Sequence, residues 1–266
     1  RTAMARFEPF EVPEGITRGK LVLQSSDAIS ADDSFHFVVE RAPAFRVGLV
    51  SENPEESAFL EEALASGTNL PFRLERVSGI ASVNADEIPV LILSDLNRPR
   101  DTRALESYLD QGGGVIVTLG NEVQAEPYNQ NPGSLLPGRL QEKVFARSAG
   151  SPFLSVTEVE GEHPVFDSFR TSGTNAMNAV QFYGYWKVNP AEETRVLARF
   201  GSGDPALIEA GTGRGRLLVF TSSLGRVWSD FPIHPVYVPF WQRMVLYASS
   251  WHSEPSAYYV SDVYSL

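Results

Sequence analysis

Cysteine is missing from this chain altogether. Its absence excludes disulfides, thiolate zinc sites and a cysteine nucleophile, and leaves the cellular compartment undetermined. Histidine is scarce: His36, His163, His234 and His252 are scattered, with no HExxH helix among them and no Asp-rich calcium loop elsewhere. Neither a metal nor a cofactor is expected from that pattern. Positive charge is also short, with 22 Lys and Arg against 33 Asp and Glu, a net charge of -11 and no basic cluster. A nucleic-acid surface needs clustered cations to displace counterions, so that class of partner is excluded. Every apolar run falls well short of the roughly 20 residues that span a bilayer. No signal peptide is visible and the chain starts at Arg1, so an excised or processed piece of a longer protein is expected.

What is present suits a globular protein. The chain has 266 residues, 42% of them hydrophobic, enough for one large core or two smaller ones. Residues 1–41 alternate apolar and polar around Phe7, Phe10, Val12, Leu21 and Leu23, then run through Phe35-His36-Phe37-Val38-Val39. They read as the last strands of an incomplete β-sandwich, because two or three strands alone cannot bury both faces. Residues 42–252 read as an α/β domain and residues 253–266 as a polar, aromatic tail. In the domain, Phe45 to Val50 is a buried first strand, and Asn53-Pro54 opens a helix with Glu55 and Glu56 in its first turn. Phe72 to Val77 suits an edge strand, Ile88 to Leu93 a central one, and Val115 to Leu119 another. Strand, helix, strand, strand, helix, strand implies a doubly wound sheet. Glu122 to Ser151 turns irregular and reads as a long loop. Leu154 to Val159, Val180 to Val188 and Thr194 to Phe200 read as an antiparallel extension of the sheet.

The stretch from Pro205 to Ser250 closes the domain. Ala206 to Glu209 and Leu217 to Phe220 read as strands joined by Gly211, Gly213 and Gly215. A phosphate cradle needs its glycines between a strand and a helix, so a hairpin turn is expected here. The loop TSSLGRVWSDFPIHP and an apolar helix from Val236 follow. Ligands of such sheets sit at the loops leaving the strand ends, which makes Glu52, Asp95, Asn121, Trp228 and Asp230 the candidate ligand-binding residues. The bland alternative is that Trp228 pins its loop onto the domain. Ser222 or Ser223 with Asp230 and His234 could form a hydrolytic grouping if base met nucleophile. Serines at strand ends more often bond the turn, and His234 can simply cap the last helix. His163, in a His-Pro turn, reads as a solvent-side or capping residue.

PALIE, GRGRLLVFTSS, WSDFP and HPVYVPFWQRMVLY, with the earlier LDQGGGVIVTLG, resemble the BatA-like bacterial membrane proteins, which carry an aerotolerance-regulator N-terminal region and a double transmembrane segment. ADDSFHFVV followed by FRVGLVSE is similar to that family's junction between sandwich and α/β domain. The resemblance implies a flavodoxin-like, class I glutamine amidotransferase-like domain on the extracytoplasmic side of the cell envelope. It implies envelope partners, including von Willebrand A-type proteins and a MoxR-type ATPase system. In working class I amidotransferases a cysteine occupies a strand-to-helix turn, which here corresponds to Leu119-Gly120-Asn121. No thiol stands there, and Thr118 lies inside the strand as a packing residue. Glutamine amidotransferase activity is therefore not expected, and the domain reads as a non-catalytic interaction or ligand-sensing module. A hydrolase or carbohydrate-active enzyme is the alternative.

Overall fold

The computed structural model describes residues 12–23, 33–41, 43–67, 70–130, 136–169 and 176–249. Phe7, Phe10, His252 and the tail fall outside them. The chain forms two compact units, Arg1–Ala44 with His252–Leu266, and Phe45–Trp251. In the first, β1 (Gly15–Val22) and β2 (Ser34–Arg41) pair antiparallel from Gly15 opposite Arg41 to Val22 opposite Ser34.

The second unit is built on an eight-stranded sheet. Its strands are β3 (Phe45–Ser51), β4 (Phe72–Arg76), β5 (Val90–Ser94), β6 (Gly114–Thr118), β8 (Val156–Val159), β10 (Arg195–Phe200), β11 (Pro205–Thr212) and β12 (Gly215–Phe220). Their order is β4-β3-β5-β6-β12-β11-β10-β8. The first five are parallel; β11, β10 and β8 then add antiparallel. The parallel block has the strand order of flavodoxin-type sheets. Continuous apolar runs such as Val90-Leu91-Ile92-Leu93 form its centre because both faces are covered. The glycines before β12 sit in an antiparallel hairpin, with Gly213 at φ 60°, as a two-residue turn between twisted strands requires.

Helices cover each face. α1 (Pro54–Ala65) starts at Asn53, whose Oδ1 accepts from the amides of Glu55 and Glu56, and packs with α4 (Tyr237–Ala248) on one side. α2 (Thr102–Asp110) lies on the other. Beneath α4 the core is aromatic. Phe220, Phe231, Phe240 and Trp241 meet one another at centroid distances of 5.2 to 6.2 Å, mostly tilted or edge-on.

Two expectations need correction. The stretch from Glu122 to Ser151 is not a single irregular loop. It holds α3 (Ala125–Gln130) and β7 (Gly138–Phe145). Asn129 fastens the two by donating to the Leu140 carbonyl and accepting from its amide. β9 (Gly184–Pro190) does not extend the main sheet, because it pairs antiparallel with β7 in a separate ribbon.

Trp241 is fully buried, yet its indole N–H finds no protein acceptor. Trp241→Ala is expected to lower stability by about 3–5 kcal/mol through the cavity it leaves. Trp241→Phe is expected to cost less than about 1.5 kcal/mol, since it also removes an unpaired donor. Urea unfolding midpoints of the two variants check the difference.

Candidate functional site

The parallel block changes winding direction at β3, which has β4 on one side and β5 on the other. Such a switch point opens a crevice outside the strand ends, where ligands of these sheets bind. The chain leaving β3, β5, β6 and β12 there carries Glu52, Asp95, Gly120-Asn121 and Ser222-Ser223.

Asp95 is the buried charge of the crevice. Only 3% of it is exposed, and its φ of 48° places it in the left-handed region, which asparagine and aspartate tolerate better than most residues. Its amide donates to the Thr118 carbonyl at 3.0 Å, and Oδ1 accepts from the amides of Glu122 and Val123 at 3.0 and 3.2 Å. Burial pushes its carboxyl up to about 7. The two amide hydrogen bonds oppose the rise, and the charges of Glu56 and Glu122 add to it.

Gly120 lies in the turn that leaves β6, Leu119-Gly120-Asn121. A Cβ at Gly120 would lie 2.4 Å from Asp95 Cγ, so the turn has no room for a side chain unless Asp95 moves. The Gly120 carbonyl accepts from the Trp186 indole N–H at 2.8 Å. The Asn121 carbonyl accepts from Lys143 Nζ at 2.6 Å, and the same ammonium lies 5.2 Å over the Trp186 ring. The turn is closed sterically from Asp95 and capped by Trp186 and Lys143.

The proposed hydrolytic grouping is not assembled. Ser222 is fully buried and its Oγ donates to the Gly184 carbonyl at 2.8 Å. Ser223 Oγ is buried without a protein partner. His234 Nε2 lies 3.1 Å from Asp230 Oδ2, while Asp230 Oδ1 accepts from the Gln181 amide at 2.7 Å. Base and acid meet, and the serine hydroxyl is committed to a backbone carbonyl. Backbone also makes the helix contact foreseen for His234, whose carbonyl accepts from the Tyr237 amide at 3.0 Å.

The other candidates have separate partners. Trp228 is buried; its ring meets Phe145 edge-on at 5.6 Å and its carbonyl accepts from the amides of Tyr183 and Gly184. It pins the loop. Glu52 pairs with Arg100 on the surface. His163 is not solvent-side: only 2% exposed, it accepts from the Val165 amide through Nδ1 at 3.3 Å. Its Nε2 faces Glu209 Oε2 at 3.4 Å, an ion-pair distance without hydrogen-bond geometry. Tyr247 donates its hydroxyl to the same carboxylate. Burial raises the Glu209 carboxyl, but the contacts with His163 and Tyr247 and the charges of His163 and Arg195 outweigh it and leave it below the usual range.

Several crevice residues escape a sequence reading. Glu56 counts from sequence only as a helix-dipole acid, yet its Oε1 accepts from the Gly225 amide at 2.9 Å. A Cβ at Gly225 would lie 2.5 Å from Glu56 Oε2. Ser94 and Thr118 are cross-strand neighbours whose buried hydroxyls have no protein partner. Their place at the ends of buried runs was the available signal. Among the described residues no group of three or more His, Asp or Glu could hold a metal, and no helix is long and apolar enough to cross a membrane.

No protein-family model and no curated protein sequence matches the chain. Among solved structures, two cytoplasmic proteins of Salmonella typhimurium superpose with TM-scores of 0.58 at 15% identity, each covering 88% of this chain and 96% and 97% of their own. A ThuA-like protein of Parabacteroides merdae superposes with a TM-score of 0.50 at 12% identity, covering 80% of this chain and 93% of its own. Likeness at such identity shows the fold alone. The Phe45–Trp251 unit has a flavodoxin-like, class I glutamine amidotransferase-like α/β fold.

Asp95 takes up a proton in the folded state that it would release in the unfolded chain between pH 4 and 7. Stability is therefore expected to fall as pH rises from about 4 to about 7. Asp95→Asn, which keeps the acceptor for the two amides, should flatten that decline. Glu209, with its folded value depressed, has the opposite sign: its contribution is present above pH 4.5 and lost as pH falls through the folded value. Urea midpoints measured across pH for the parent, Asp95→Asn and Glu209→Gln separate the two windows.

Proposed function

We propose that this chain is a non-catalytic interaction or ligand-sensing module built on an amidotransferase-like fold. The observation that carries this reading is the closed turn at Gly120. The turn that the resemblance equates with the nucleophile turn, Leu119-Gly120-Asn121, carries no thiol, and a side chain at Gly120 has no space while Asp95 stays in place. Nucleophilic catalysis needs a nucleophile exposed to substrate with a base in hydrogen-bond reach. Ser222, the substitute in the loop that leaves β12, is buried and bonded to Gly184.

The setting rests on sequence resemblance. The BatA-like segments support an extracytoplasmic place in a membrane-anchored bacterial envelope protein. They also support envelope partners such as von Willebrand A-type proteins and a MoxR-type ATPase system. The hydrolase alternative has one observation in its favour, the Asp230–His234 pair at 3.1 Å. That pair is accounted for by bracing, because Asp230 also holds the Gln181 amide.

Glutaminase, esterase and glycosidase assays of the purified chain are expected to show no turnover above background, and Ser222→Ala should leave that result unchanged. Turnover that Ser222→Ala or His234→Ala abolishes would overturn the non-catalytic reading. Co-purification from native membranes, with the partner identified by mass spectrometry, tests the envelope setting. Recovery of no envelope partner would contradict it.

A further inference from the structure

Among the described residues of the Phe45–Trp251 unit six large apolar side chains are exposed, and three of them line one open groove. Phe145, Ala146, Arg147, Pro152, Tyr183 and Val227 enclose about 470 Å³ there. That volume lies within the range of small-ligand sites. Phe145 and Tyr183 are more than a third exposed and Val227 is 75% exposed. The groove is thus a trough from which a chain can emerge. A backbone ladder fixes its floor: the Ala146 amide donates to the Tyr183 carbonyl at 3.0 Å, and the Tyr183 amide to the Trp228 carbonyl at 2.7 Å. The buried Trp228 ring supports Phe145 edge-on from below. Among the described residues, the Arg147 guanidinium has no carboxylate partner. Other arginines also lack a carboxylate partner, but of these Arg147 is the one that lines the apolar trough.

We infer that this groove binds the C-terminal residue of a partner peptide, an apolar side chain seated on Phe145, Tyr183 and Val227 with its carboxylate on Arg147. Charge complementarity selects the anion, since the guanidinium presents paired donors matched to a carboxylate. The exposed aromatic and aliphatic walls select the apolar side chain beside it. The open trough favours a chain end over an enclosed small acid. The inference rests on the interaction reading above, and the residues that line the groove are none of the strand-end candidates, although Trp228 supports its floor.

The test is a titration of the isotope-labelled full chain, followed by backbone amide resonances. Three probes are used: a hexapeptide ending in phenylalanine with a free carboxylate, the same peptide amidated, and N-acetylphenylalanine. The free-carboxylate peptide is expected to shift the Ala146 and Val227 amides and to bind at least about three-fold tighter than the amidated one. Arg147→Gln should erase that preference while leaving weak apolar binding, and Val227→Asp should weaken both peptides. Equal affinity for acid and amide, shifts confined to other surfaces, or no binding at all would overturn the proposal. N-acetylphenylalanine binding as tightly as the peptide would overturn the chain-end assignment in favour of a small acid. None of these outcomes bears on turnover, so failure of the groove and failure of the non-catalytic reading are told apart.

Discussion

A carboxyl group forced into a left-handed turn and out of water sets the geometry of the strand ends. Asp95 gathers the amides of Glu122 and Val123, and its backbone amide continues the ladder to Thr118. These bonds hold the chain leaving β6 directly against the carboxylate, so a side chain at position 120 would fit only if Asp95 moved. With no side chain on that turn, the Trp186 indole can reach the Gly120 carbonyl and Lys143 the next one. A single buried charge thereby joins β5, β6 and the β7–β9 ribbon. Its raised proton affinity is the cost of that position.

The aromatic layer under α4 has the complementary effect on the loop after β12. Phe220 and Phe231 sit at the two ends of that loop and both pack on Phe240. The segment between them is drawn inward, which buries Ser222 and Trp228 and places the Gly225 amide on Glu56. A loop positioned like a catalytic loop is spent on closure. Exposed apolar surface remains at the rim, where Val227 stands beside Phe145 and Tyr183.

The parallel strands were legible because continuous apolar runs such as Val90 to Leu93 admit few other placements in an α/β chain. The hairpin at Gly213 and the cap at Asn53 were legible from local chemistry alone. The ribbon of β7 and β9 was not, since strand pairing across the intervening chain leaves no mark on composition. The lack of a cysteine nucleophile was legible from composition alone. The closed turn needed more: Gly120 and Trp186 lie 66 residues apart, and nothing local signals their contact. His163 misled for a related reason, because a His-Pro turn reads as surface until Glu209 and Tyr247 are folded around it.

The most direct measurement is the titration of the Asp95 side-chain carboxyl carbon, observed by NMR in the labelled full chain and assigned with Asp95→Asn. An apparent pKa near 7 is expected if the carboxyl is buried against Gly120 as described. A value close to 4, the ordinary range for aspartate, would mean that water reaches the crevice. The closed nucleophile turn, and with it the non-catalytic account, would then be contradicted.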